Sequence, residues 1–432
     1  MNPGKTAEWI AGDKKHLWHP FTQMLEWCAP EHEPLVLVGG EGALVRDSEG
    51  REYIDGNSSI WTNLHGHNHP RINAAIRAQL DRVAHTSFLG LTNPPAIRLG
   101  AELVKLFPSE TLTRVFYSDD GSTAIEVALK IAAQFWQLQG KPQRRHFIAF
   151  ANSYHGDTMG AASLGDVKIF NERFAAWQFP VEHVSSVAEL DAMVVSPESV
   201  AAVVIEPLIQ GAAGMRPWPS GMLAELRRWC DAHGTLLVAD EVMTGFGRTG
   251  TMFACEQEHV IPDFLALAKG LTGGYMPLAA TLTSERIFAA FLGSHAEQKT
   301  LHYGHSYTAN QLGCAAALAN LEIFREENVL VNLRRKIPHL SRLLEPVAAM
   351  RHVGEVRQCG FIAGIELKRD AATPFDWTEQ TGARVCMLAR RHGLLTRPIR
   401  DVIVLMPPYC ITETQLDQAV TAISEAIKEV CG

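Results

Sequence analysis

The chain has 432 residues, 47% of them hydrophobic and 20% charged, with a formal net charge of −8. That length exceeds what one hydrophobic core usually serves, so two or more domains are expected. The negative balance, with no block of lysine and arginine, argues against nucleic acid or an anionic membrane as a partner and leaves small molecules as the expected ligands.

The opening stretch MNPGKTAEWIAGDKKHLWHP carries no apolar core of signal-peptide length, and no later window is apolar enough to span a bilayer. The eight cysteines are scattered without a CxxC pair, as expected of reduced thiols in a cytoplasm. PLVLVGG and ALVRDSEGREYIDG then read as strands, with a hairpin turn around Ser48-Glu49-Gly50. From about residue 70 the pattern becomes helices alternating with short apolar strands. RINAAIRAQLDRVA, PAIRLGAELVKLF and GMLAELRRWCDAHG have helical periodicity; RVFYS, HFIAFAN, VAAVVIEPL, GTLLVADEV and DFLALA read as strands. Short, continuously apolar strands between helices indicate a parallel sheet covered on both faces, hence an α/β domain. After Phe324 come NVLVNLRRKIPHLSRLLEPVAAM as helix, FIAGIELK and VIVLMPP as strands, and a closing helix TETQLDQAVTAISEAIKEV. We therefore expect a large central domain over 61–326 and a smaller α+β domain made from 1–60 and 327–432.

Ligands of open α/β sheets bind beyond the carboxyl ends of the strands. Four such places carry chemistry. After RVFYS, the residues Asp119, Asp120, Gly121, Ser122 and Thr123 turn into a long helix, whose first N–H groups make an anion site unless Ser122 or Thr123 is simply the N-cap. After HFIAF, Tyr154 and His155 offer a flat aromatic face and Asp157 a carboxylate. After LLVA, Asp240 and Glu241 could hold a cationic nitrogen or merely cap the next turn. After LALA comes Lys269, between the small residues Ala268 and Gly270, which would leave it room to swing. An amine able to form a Schiff base, an acid for a pyridinium nitrogen, a stacking aromatic and a phosphate cradle are together the requirements of pyridoxal 5′-phosphate.

Two other motifs compete. Gly245-Phe246-Gly247-Arg248-Thr249-Gly250 matches a dinucleotide fingerprint, but it should open a helix and be followed some twenty residues on by an acid, and neither holds. His65, His67 and His69 alternate as metal ligands could, yet Gly66, Asn68 and Pro70 favour a structural loop, and no metal site is expected.

The stretches YSDDGSTAIEVALK, NSYHGDT, VVIEPLIQG, LLVADEVMTGFGRTG, LALAKGLTGGYMPLAA and HSYTANQLGCAAALANL together resemble the class III pyridoxal-phosphate aminotransferases of fold type I. HLWHPFTQM, NSSIWTNLHGHNHP and LLTRPIRDVIVLMPPY resemble, within that class, the biotin-biosynthetic branch. The resemblance implies a mainly parallel seven-stranded sheet, pyridoxal 5′-phosphate as cofactor, and a small-molecule keto acid with an amino donor as substrates. It implies a homodimer with shared active sites. It makes Lys269 the Schiff-base lysine, Asp240 the pyridinium partner, Tyr154 the stacking aromatic that also touches substrate, and Gly121 with Ser122 the phosphate cradle. Gly304, His305 and Ser306 would reach across from the neighbouring subunit, Trp61 would line the substrate channel, and Arg397 would clamp the keto acid's carboxylate. Glu206 and Arg248 sit where the class places supporting charges. Phe21 and Ile60 stand where users of S-adenosylmethionine typically carry tyrosine and tryptophan, which tips the expected donor towards lysine.

Overall fold

The computed structural model describes residues 3–370 and 373–432. At the N-terminal end the strands Leu37–Glu41, Leu44–Asp47 and Glu52–Asp55 form an antiparallel meander, with the expected turn at Ser48–Gly50. A short strand from the other end of the chain, Leu394–Leu395, pairs in parallel with Glu52–Asp55 in the register Ile54 to Leu394 and Asp55 to Leu395. The chain therefore leaves both strands at the same end of one small sheet.

The central sheet has seven strands in the order Arg114–Ser118, Ala279–Thr283, Phe264–Leu267, Leu236–Asp240, Val200–Ile205, His146–Phe150, Val181–Val184. Every residue of Val200–Ile205, Leu236–Asp240 and Phe264–Leu267 is buried, so both faces are covered and the strands read as unbroken apolar runs. Ala279–Thr283 runs antiparallel to both its neighbours, a strand the periodicity did not disclose. Its direction follows from residues 268–278, which form only a tight turn and a 3-10 segment and leave no crossover helix to carry the chain back.

The helix Gly121–Leu138 buries Ile125, Ala128, Ile131, Ala132 and Phe135 on one face, the spacing of a half-buried helix. Its N-cap is Asp120, not Ser122 or Thr123: Asp120 Oδ1 accepts the Thr123 N–H at 2.9 Å, and Thr123 Oγ accepts the Asp120 N–H at 2.9 Å. That capping box leaves Ser122 Oγ for other work. Toward the C-terminus, Val353–Cys359, Ile362–Leu367, Val402–Leu405 and Pro398–Ile399 form a second antiparallel sheet, and Glu413–Cys431 closes the chain as a helix. Among the described residues, no helix is long and apolar enough to cross a membrane, and no group of three histidine, cysteine or acidic side chains is placed to hold a metal.

Candidate active site

Asp240 ends its strand with a side chain that is almost wholly buried, and its Oδ2 lies 2.7 Å from Nδ1 of His155, itself fully buried. The other carboxylate oxygen accepts the Val242 N–H at 3.1 Å. His155 is thus engaged through its edge with Asp240 instead of offering a face beside Tyr154. The next residue, Glu241, points the other way, as alternation along a strand requires. It accepts the N–H groups of Ala254 and Cys255 at 2.8 Å and the Thr244 hydroxyl at 3.0 Å, and burial pushes its carboxyl up to about 7. Of the two adjacent acids, Asp240 meets His155 at the sheet end from which Lys269 emerges, and Glu241 pins the 254–258 turn.

Because Asp240 pairs in register with Ala266 on the neighbouring parallel strand, Lys269 emerges three positions later at the same end of the sheet. Lys269 is half-buried, with no hydrogen-bond or ion-pair partner among the described residues; its Nζ stands 4.9 Å from the centre of the Trp61 ring. Burial lowers its affinity for a proton, against the pull of Asp240 and Glu206. Gly270 is small for a packing reason. A Cβ on Gly270 would meet Leu64 at 3.1 Å and Phe246 at 3.2 Å, so this glycine permits close packing.

Two glycines bring the helix start to the same place. A Cβ on Gly121 would stand 2.6 Å from Val242, two residues past Asp240, and one on Gly156, at φ +121°, would stand 2.1 Å from Ser122 Oγ. Ser122 Oγ accepts the Asp157 N–H at 3.1 Å, and the first N–H groups of the helix have no acceptor within it. Tyr154 donates its hydroxyl to Asp157 Oδ2 at 2.7 Å and its N–H to Glu206 Oε1 at 3.1 Å. Glu206 also accepts the Gly211 N–H at 2.8 Å, and burial pushes its carboxyl up to about 7 against the attraction of His155. The Tyr154 ring meets Phe170 edge-on at 5.7 Å, and Phe170 meets Phe21 at 5.4 Å, placing the exposed Phe21 at the outer end of an aromatic row.

The opposite wall is a turn of unusual hand. Ser58, Ser59, Ile60 and Trp61 have φ of +45°, +48°, +70° and +68°, closed by Trp61 N–H to Asn57 O at 2.8 Å and Thr62 N–H to Ser58 O at 2.9 Å. This is one left-handed helical turn without a glycine, at a cost of about 1–2 kcal/mol per residue. Trp61 donates its indole N–H to Asn57 Oδ1 at 2.8 Å, and Ile60 is exposed beside it. Arg397 leaves the paired strand Leu394–Leu395 at the same sheet end, exposed and without an ion-pair partner among the described residues.

Residues 245–250 form a turn, not a helix start, and their arginine is wholly interior. Arg248 donates to Pro407 O at 2.9 Å and Asn63 O at 3.1 Å and lies 4.9 Å from the Tyr409 ring centre. His65, His67 and His69 occupy a loop, where His65 meets Asn320 Oδ1 at 2.7 Å and His67 meets Asp55 Oδ2 at 2.9 Å. In the single chain, His305 Nδ1 lies 2.9 Å from Asp119 Oδ2, at the head of the helix cradle, with Gly304 and Ser306 exposed on either side.

These residues fit pyridoxal 5′-phosphate. An amine without a hydrogen-bond partner, a carboxylate backed by an imidazole, and the Gly121 and Ser122 N–H groups that the Asp120 cap leaves open, behind glycines that a Cβ would block, are the contacts that cofactor needs. The family model for class III aminotransferases matches residues 28–427. The chain belongs to the class III aminotransferases. It is 47% identical to the adenosylmethionine-8-amino-7-oxononanoate aminotransferase of Geobacter sulfurreducens, over 97% of each chain. The crystal structure of the enzyme of that name from Methanocaldococcus jannaschii is 42% identical, with a TM-score of 0.95 over 98% of this chain and 99% of that one. An amine transaminase from an uncultivated Pseudomonas species, solved in its PLP-bound form, is 34% identical with a TM-score of 0.91 over 96% of this chain and 99% of that one. As a class III aminotransferase, the chain has the strand-end acids and lysine of its motifs on one short arc, and the sequence alone did not disclose the His155 contact or the left-handed turn.

Proposed function

We propose that this aminotransferase aminates 8-amino-7-oxononanoate to 7,8-diaminononanoate, a step of biotin biosynthesis, at a pyridoxal 5′-phosphate held by Lys269, Asp240, Tyr154, Gly121 and Ser122. The observation that carries the reading is the amine of Lys269, without a hydrogen-bond or ion-pair partner among the described residues, 4.9 Å from the Trp61 ring and at the sheet end where Asp240 meets His155. When bound, the cofactor supplies an electron sink for the carbon that loses or gains a proton. Asp240 is the carboxylate placed to keep a ring nitrogen positively charged, and His155 fixes its orientation. Lys269 is the base: with its proton affinity lowered by burial, Nζ can take a proton and return it. The helix N–H groups at Gly121 and Ser122 suit a phosphate. Tyr154 stacks, its hydroxyl fixed by Asp157.

Substrate selection falls to the opposite wall. Arg397 has a free planar fork for a carboxylate, while Trp61, Ile60 and Phe21 offer apolar surface to an aliphatic chain. The names of the relatives at 47% and 42% identity support the keto acid over the diamine or ω-amino-acid substrates of other members of the class. Those names carry adenosylmethionine as donor, whereas Phe21 and Ile60 favour lysine. We further read the chain as a cytoplasmic homodimer in which Gly304, His305 and Ser306 serve the partner's cofactor. An apolar groove beside the Arg114–Ser118 strand, lined by Phe88, Ile97, Val104, Phe288 and Leu301, supports a buried face there. The division at 60 and 326 is supported by the Leu394–Leu395 strand, which joins the two ends of the chain in one sheet.

The test is visible absorbance. Protein supplied with pyridoxal 5′-phosphate should turn yellow, and lysine or S-adenosylmethionine, added separately without keto acid, should bleach it. The donor that bleaches is the donor used, and 8-amino-7-oxononanoate should restore the colour. A yellow protein that neither bleaches contradicts the substrate assignment, and one that never colours contradicts the role of Lys269.

A further inference from the structure

The left-handed turn at 58–61 has a charge at each end. At its start, the Asp55 carboxylate, 2% exposed, accepts the Ser59 N–H at 3.1 Å, the Asn57 N–H at 3.3 Å and the Ser59 hydroxyl at 3.0 Å. Two residues past its finish, the interior guanidinium of Arg248 takes the carbonyl of Asn63 at 3.1 Å. An anion on the free N–H groups and a cation just beyond the carbonyl end are the placement that a helical turn's dipole favours.

Asp55 is itself held. Gly66 N–H donates to Asn63 Oδ1 at 2.8 Å, which assigns the other end of that amide as donor toward His67 Nδ1, 3.2 Å away. The proton of a neutral His67 ring then sits on Nε2 and points at Asp55 Oδ2, 2.9 Å distant. Ser58 adds a hydroxyl bond to Met406 O at 2.7 Å. Four consecutive residues without a glycine would otherwise adopt the right-handed form. The indole of Trp61, tied to Asn57, would then leave the position it holds 4.9 Å from Lys269 Nζ.

We propose that Asp55 is a positioning residue of the transamination site: its carboxylate holds 58–61 left-handed and thereby keeps the Trp61 ring across Lys269. This rests on the reading of Lys269 as the reacting amine. Asp55 touches no reacting atom and acts through the turn that carries Ile60 and Trp61, so the effects of removing it and of changing Trp61 should overlap instead of adding.

A double-mutant cycle of Asp55→Asn and Trp61→Phe tests this, with Ser59→Gly as a third change, because glycine accepts a positive φ without the carboxylate's help. In the cofactor-free protein, the fluorescence assigned to Trp61, taken as the difference between chains with and without it, should shift in the Asp55→Asn background and return when Ser59→Gly is added. With cofactor, Asp55→Asn should raise KM for the keto acid enough to lower kcat/KM about 10- to 100-fold, with kcat nearly unchanged, and the double variant should lose less than the product of the two single losses. Additive losses in the cycle, or an unshifted Trp61 signal in a folded Asp55→Asn protein, overturn the proposal. Should Asp55→Asn not fold, the Ser59→Gly/Asp55→Asn chain decides: it should fold with Trp61 in its native signal, and failure to recover that signal counts against the proposal. The fluorescence arm needs no cofactor, so it separates an error about Asp55 from an error about Lys269.

Discussion

On one wall of the candidate site Asp240 and Lys269 stand at or just past the ends of adjacent buried strands, and Gly121 at the start of a capped helix; on the other, Trp61 stands on a left-handed turn, and Arg397, proposed to face it, follows the two-residue strand Leu394–Leu395. The first wall inherits its precision from regular structure, because the register that pairs Asp240 with Ala266 also sets where Lys269 emerges. The second has no such lattice and depends on side-chain bonds from Asp55, Asn57 and Arg248. Chemistry common to the class can sit on the rigid wall, and substrate choice on the wall that side chains can reshape.

That contrast predicts changes in turnover from the first wall and changes in affinity from the second. The largest effect is expected of Asp240→Asn, which keeps the shape but removes the charge facing His155. Single-turnover rates should fall by about 10²–10⁴-fold while the colour from pyridoxal 5′-phosphate still forms. An unchanged rate would mean that the strand-end acid is only a cap. Arg397→Lys retains a charge and loses the fork; KM for the keto acid should rise about 10- to 100-fold with kcat little altered, as expected for a bidentate charged contact worth about 1.5–3 kcal/mol. A fall in kcat of the same size would move Arg397 from the second wall to the first.

The smallest effect separates the two neighbouring acids. Burial raises the Glu241 carboxyl from 4.5 to about 7, so between those values the folded chain binds more protons than the unfolded one. Its contribution to stability is full below about 4.5 and is lost as pH rises through about 7, at up to about 1.4 kcal/mol per pH unit. Glu241→Gln cannot titrate. Its Tm should gain on that of the original chain as pH climbs across that window, with kcat unaffected. A constant Tm difference would contradict the burial cause.

Much of the first wall could be read from the sequence, because unbroken apolar runs ending at Asp240 and just before Lys269 announce buried strands and Gly121 follows another three residues past its end. The choice of Asp240 over Glu241 came from the family resemblance, since alternation alone tells that two neighbours diverge without saying which one faces the cleft. His155 looked like a stacking face, and only the three-dimensional arrangement shows its edge meeting Asp240. Ser58-Ser59-Ile60-Trp61 carries no glycine, so nothing local signalled positive φ; the cause lies in Asp55 and in Arg248, which is far away in sequence. The antiparallel strand Ala279–Thr283 was hidden for a similar reason, its direction being set by a short connection and not by its own residues.

The most direct measurement is to load the protein with pyridoxal 5′-phosphate, reduce it with borohydride and map the labelled peptide. The account predicts one pyridoxyl group per chain, on Lys269, and none on a Lys269→Ala protein that still folds. A label on any other lysine, or undiminished labelling of Lys269→Ala, would contradict it.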